Sequence, residues 1–149
     1  METVQIKGVD SSIRTTSAYL EKDSTLLISE RIMTHDKQFA KTIFNVELNG
    51  DNSKTKVSSR SVAKDLSCQE FISNVIGNTK CFGHVECDAI IMDNAKVTAV
   101  PKIVCNNLDA NLMHEATIGK IAVDQLVKLM TLGLNEQEAS EYIISGFLN

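Results

Sequence analysis

Polar turn clusters punctuate this chain at nearly constant intervals. THDK begins at residue 34, NGDN at 49, AKDL at 63, GNTK at 77, DNAK at 93 and NNLD at 106, so successive starts lie 15, 14, 14, 16 and 13 residues apart. Asn, Asp and Gly supply the backbone geometry of tight turns. Between the clusters lie short β-prone runs: TLLISERI, TIFNVEL, KVSSRSV, EFISNVI, HVECDAIIM, VTAVPKIVC and ANLMHEAT. Several alternate apolar and polar residues, the mark of a half-buried strand. A regular strand–turn unit folds either as an antiparallel meander or as a solenoid whose coils stack on one another. Spacing alone does not choose. If two units make one flattened coil, the coil repeat is about 28 residues.

After Gly119 the period changes. IAVDQLVKLMTLG places Val123, Leu126, Val127 and Met130 at helical spacing, and Gly133 is a helix stop. In NEQEASEYIISGF, Asn135 is an N-cap with Glu138 three residues on, as in a capping box. Ala139, Tyr142, Ile143 and Phe147 make an apolar stripe, and Gly146 is expected to weaken or end the helix. The expected organisation is a β body over 1–118 and a small helical subdomain over 119–149. Pro101 marks its run as an edge strand or a bulge.

Composition narrows the function. A net charge of −4, with no long basic run, argues against nucleic-acid binding through phosphate neutralisation. No apolar stretch reaches the roughly 18 residues needed to span a bilayer. METVQIKGVDSS lacks the apolar core of a signal peptide, so a cytoplasmic location is expected. There the four cysteines, Cys68, Cys81, Cys87 and Cys105, are thiols or metal ligands rather than a disulfide frame. There is no G-x-x-x-x-G-K-[ST] phosphate loop, so the chain is not itself expected to be an ATPase.

CFGHVEC, residues 81–87, has zinc- or iron-binding residue types. Strand alternation sends His84 away from Cys81 and Cys87 unless Gly83 forms a bulge. Cys87 and Glu115 are 28 residues apart. In a solenoid with a 28-residue coil they become neighbours on one face, with His114 on the opposite face. A thiolate and a carboxylate side by side repel, which favours a bound cation.

The ordered combination ECDAIIMDNAKVTAVPKI, then LMHEATIGKIAVDQLVKLMTLGLNEQEASEYIISGF, resembles the C-terminal part of the SufB/SufD family of iron–sulfur cluster assembly proteins. The resemblance is strong over residues 83–147. It rests on a Cys-Asp pair, a His-Glu-Ala segment before Gly-Lys-Ile, a D-Q-L helix and an acidic helix ending in G-F. It implies a mainly β fold: a right-handed parallel β-helix followed by a small helical subdomain that docks an ATPase. It implies a non-enzymatic scaffold that accepts sulfur, holds a transient Fe–S cluster and passes it on. The implied partners are a SufC-type ABC ATPase, a sulfur donor protein and a second SufB/SufD-type subunit. Cys87 matches the SufB-type cysteine, the sulfur acceptor and cluster ligand. Glu115 matches the SufB-type glutamate, and His114 the histidine of SufD-type subunits. Carrying both kinds of ligand fits a homodimer. The ATPase-docking surface would include Leu126, Val127, Met130, Tyr142, Ile143 and Phe147. Family members are usually longer, with more coils ahead of the matched region. Two other readings predict different structures or behaviour. A metal-dependent enzyme on a β-barrel would converge His84, His114 and Glu115. A plain β-solenoid interaction module would work without Cys87.

Overall fold

The computed structural model describes residues 10–149. The first nine residues, most of the segment read above as lacking a signal peptide, lie outside the described residues. Eight strands come first: β1 (Ser11–Leu20), β2 (Thr25–Thr34), β3 (Phe39–Leu48), β4 (Lys54–Ala63), β5 (Cys68–Gly77), β6 (Phe82–Ile91), β7 (Lys96–Cys105) and β8 (Asn111–Gly119). Two helices follow, α1 (Val123–Thr131) and α2 (Glu136–Leu148). The odd strands form one sheet in the order β1-β3-β5-β7, and the even strands a second in the order β2-β4-β6-β8. Every pairing is parallel. The chain therefore winds as a β-solenoid of about four turns, not as a meander or a closed barrel.

The coil length is not constant. The register offset is 28 residues for β1–β3, β4–β6 and β5–β7, and 29 for β2–β4, β3–β5 and β6–β8. The connections explain this: 49–53 and 106–110 hold five residues, whereas the others hold four. Each five-residue turn shifts side-chain parity in the strands after it.

The turns use Asp and Asn for a definite reason. Asp23, Asp36, Asn52, Asp65 and Asp93 all have positive φ, between 53° and 60°. Short polar side chains tolerate that backbone best after glycine. Stacked turns also bond to each other. The Asp36 N–H donates to the Asp65 carboxylate (2.8 Å) and the Asp65 N–H to that of Asp93 (3.1 Å). Asn106 donates to Asn78 and Asn78 to Asn49, both at 2.7 Å. Gly50 is required by close approach, because a Cβ there would lie 1.9 Å from the Lys22 backbone nitrogen.

Inside, the two sheets enclose a core of two characters. At one end Phe44, Val46, Leu48, Val57, Val75 and Val85 pack together. At the other the interior is polar. Glu30, 4% exposed, accepts hydrogen bonds from the Thr42 (2.9 Å) and Ser59 (2.8 Å) hydroxyls and is paired with Arg14. Gln69 donates to the Thr34 hydroxyl and the Val62 carbonyl. Glu30, Thr42, Ser59, Gln69 and Thr34 all have partners here, as burial demands, whereas the buried Arg14 Nε has none.

The helices close the structure. Asn135 and Glu138 make the expected capping box, and Gly133 takes φ of 99° just after α1. Gly146 does not end α2, which runs on to Leu148. Helix α1 rests on α2, and α2 on β4. Ala139 and Ile144 are buried there, and Arg31 and Arg60 donate to the carbonyls of Leu148 and Phe147. Pro101 sits on β7, an edge strand of its sheet, where its missing N–H costs no ladder bond.

Candidate functional site

Strand β6 is paired with β4 on one side and β8 on the other. Its inward positions are Gly83, Val85, Cys87 and Ala89, and its outward ones His84, Glu86 and Asp88, as the alternating burial shows. In β8 the register places Leu112 beside Gly83, His114 beside Val85, Glu115 beside Glu86 and Ala116 beside Cys87.

This corrects the arithmetic of a uniform 28-residue coil. The extra residue in the 106–110 turn moves β8 by one, and a one-residue slip exchanges the two faces of a strand. Cys87 therefore neighbours Ala116, not Glu115. His114 and Glu115 do face opposite ways, but it is His114 that shares the inner face with Cys87. The two are one strand over and two residues along, roughly 8 Å apart between Cα atoms by strand geometry. Glu115 stands on the outer face.

The inner pair is secluded. Cys87 is 1% exposed. Burial, reinforced by the nearby Asp88 charge, pushes its thiol up to about 11. It is therefore protonated at neutral pH, and a thiol, unlike a thiolate, is a poor nucleophile and ligand. Burial, and then the charge of His84, pushes the His114 imidazole below its ordinary value. Its Nε2 is shielded from solvent and has no hydrogen-bond partner. A neutral imidazole with a free nitrogen is the form that binds metal.

On the outer face, His84 Nε2 lies 3.6 Å from a Glu115 carboxylate oxygen. That is an ion pair only when His84 is protonated, and it is too long for a hydrogen bond. Glu86 adjoins Glu115 across the ladder. His84 is thus mostly covered and faces Glu115, and the signal that sequence reasoning missed is the length of the last turn.

Cys81, His84 and Cys87 do not converge. Gly83 pairs in regular register with Thr55, so no bulge reorients His84. Among the described residues no three His, Cys, Asp or Glu side chains gather as a metal site. The barrel reading also fails on fold, because the sheets are open and parallel, and His114 faces away from His84 and Glu115.

Around the inner pair the last coil is uncovered among the described residues. β7 and β8 each pair on one side only. Val100 and Ile103 on β7, Leu108 in the turn between, and Met113 and Ile118 on β8 are exposed. On the helices Val127, Met130 and Tyr142 are exposed, while Leu126, Ile143 and Phe147 are half-buried.

The model for the SufBD core domain of SUF-system FeS cluster assembly matches residues 1–147. The chain belongs to the SufBD family. It is 35% identical over 129 residues to an iron–sulfur cluster assembly SufBD family protein of Methanocaldococcus jannaschii, covering 86% of this chain and 41% of that one. It is 30% identical over 136 residues to a SufBD family protein of Archaeoglobus fulgidus, covering 89% and 36%. Against the iron–sulfur cluster assembly protein SufB of Bacillus subtilis it is 33% identical over 101 residues, covering 65% and 22%. The chain thus spans well under half the length of these SufBD relatives. No helix among the described residues is long and apolar enough to cross a membrane.

Proposed function

We propose that this SufBD chain is a scaffold in iron–sulfur cluster assembly, with Cys87 accepting sulfur and ligating a nascent cluster. The cluster is cargo, held in transit. The observation that carries this reading is the shared inner face of Cys87 and His114 beneath the exposed edge of the last coil. Thiolate and imidazole are good iron ligands, and a carboxylate such as Glu115 is a weaker one suited to release.

The closed geometry imposes a sequence of events. A protonated, buried Cys87 cannot take up sulfane sulfur. The last coil must first open, letting the thiol ionise and reach the donor protein. Glu115 stands outside, so one chain does not present all three ligands together. A second copy meeting the β7 and β8 edges would complete the set, and unpaired strand edges are templates for such pairing. The exposed residues of α1 and α2, over 119–149, are the docking surface for an ABC-type ATPase, whose cycle would drive the opening. The scaffold itself carries out no hydrolysis.

Anaerobic reconstitution with iron, sulfide and the cognate ATPase tests the site. Cys87→Ala and His114→Ala are expected to hold less than about a tenth of the wild-type cluster, and Glu115→Ala to release it faster. Wild-type loading and retention in all three variants would refute the assignment. For docking, Val127→Asp and Tyr142→Asp, both at exposed positions, are expected to weaken ATPase association. Unchanged binding by the folded variants would exclude that surface.

A further inference from the structure

Cys81 and Cys105 have no part in the proposed cluster site, yet the fold brings them together. Cys81 ends the turn 78–81, and Cys105 ends β7. Gly77, the last residue of β5, faces inward and stands in register with Cys105. A Cβ on Gly77 would lie 2.9 Å from Cys81 Sγ, 3.0 Å from Ala110 Cβ and 3.3 Å from Leu112 Cδ1. The Cys81 sulfur thus fills the space that a side chain at 77 would take. Cys105 projects from the neighbouring position of the ladder, one strand spacing of about 4.8 Å away. The two are close enough for a charge on Cys105 to push the Cys81 thiol up. Cys81 is buried, and Cys105 is exposed.

We propose that Cys81 and Cys105 form a reversible intrachain disulfide, made by exchange with a small disulfide such as oxidised glutathione. The exposed Cys105 reacts first. It loses its proton, and its thiolate attacks one glutathione sulfur. The glutathione S–S bond breaks, and the departing thiolate takes up a proton. Cys81 then gives up its proton, and its thiolate attacks the Cys105 sulfur of the mixed disulfide and expels the second glutathione thiolate, which is protonated in turn. Two protein thiols are oxidised and one glutathione disulfide is reduced to two thiols. Cys81, shielded from the reagent, serves only as the resolving thiol. The bond staples the end of β7 to the turn before β6, fixing one end of an exposed strand edge.

The test uses the intact 149-residue chain with oxidised glutathione, followed by acid quenching and non-reducing peptide mapping. Trypsin with a glutamate-specific protease cuts after Glu86, which separates Cys81 from Cys87. The expected product links Cys81 to Cys105, consumes two of the four thiols and is reversed by dithiothreitol. In Cys81→Ser, Cys105 should accumulate as the glutathione adduct, persisting at least about tenfold longer than in wild type. The proposal is overturned if wild-type Cys105 stops at that adduct, links to Cys87 or to a second chain, or stays reduced. Cluster loading at Cys87 is read separately by reconstitution of the reduced chain, so this idea and the scaffold reading stand or fall separately.

Discussion

Cys87 holds its proton because its sulfur has left water without gaining a cation. Raising a thiol from 9.0 to about 11 reduces its thiolate fraction at neutral pH by about a hundredfold. Alkylation at pH 7, followed by mass spectrometry, should therefore find Cys105 reacting first and Cys87 at least about a hundredfold slower. The same shift makes a stability statement. The folded value lies above the unfolded one, so the contribution is complete below about pH 9 and is lost as pH rises through about 11. His114 has the opposite sense. Its folded pKa is depressed, so stability falls as pH drops below the ordinary 6.5 toward the folded value. His114→Asn should flatten that acid limb in denaturant titrations at several pH values. Arg14 pairs with the buried carboxylate of Glu30. Because Arg14 is a third exposed, Arg14→Met is expected to cost about 2–3 kcal/mol, below the figure for a fully buried pair that loses one partner. Chemical denaturation would measure it, and adding Glu30→Gln should recover part of the loss.

Seven of the eight strands were legible as β-prone runs, and the eighth shows what the pattern misses. Strand β1, SSIRTTSAYL, turns Ser12, Arg14 and Thr16 inward, so it has little of the apolar alternation that signals a strand. Its inner row meets the polar end of the core, where Glu30 answers Arg14. Polar inward residues make sense only once their partners are known. The turns carry their own requirement. Gly50→Ala would drive a methyl into the Lys22 backbone, which cannot yield as a side-chain tip can. A loss of about 3 kcal/mol or more is expected, read as a lowered urea midpoint with unchanged slope. The closing helices were readable from their caps, whereas the persistence of α2 past Gly146 was not. Arg31 and Arg60 hold the Leu148 and Phe147 carbonyls of that last turn from strands distant in sequence.

At the scale of the molecule, the solenoid's stability lies in stacking between coils, and the helices are an appendage resting on β4. Removing residues 120–149 should leave the β circular dichroism intact and lower the melting temperature by less than about 8 °C. Loss of the β signal would show instead that the helices are required for the coils to form. Turn spacing, strand alternation and helix caps are local properties, so the sequence by itself determined a repeating β body with two terminal helices. The Cys-Asp and His-Glu-Ala combination, also local, carries the resemblance to the family. Which face each candidate residue occupies was decided only by tertiary structure. Strand parity depends on the summed length of everything between two coils, and one extra residue at 106–110 placed Glu115 outside and left His114 inside with Cys87.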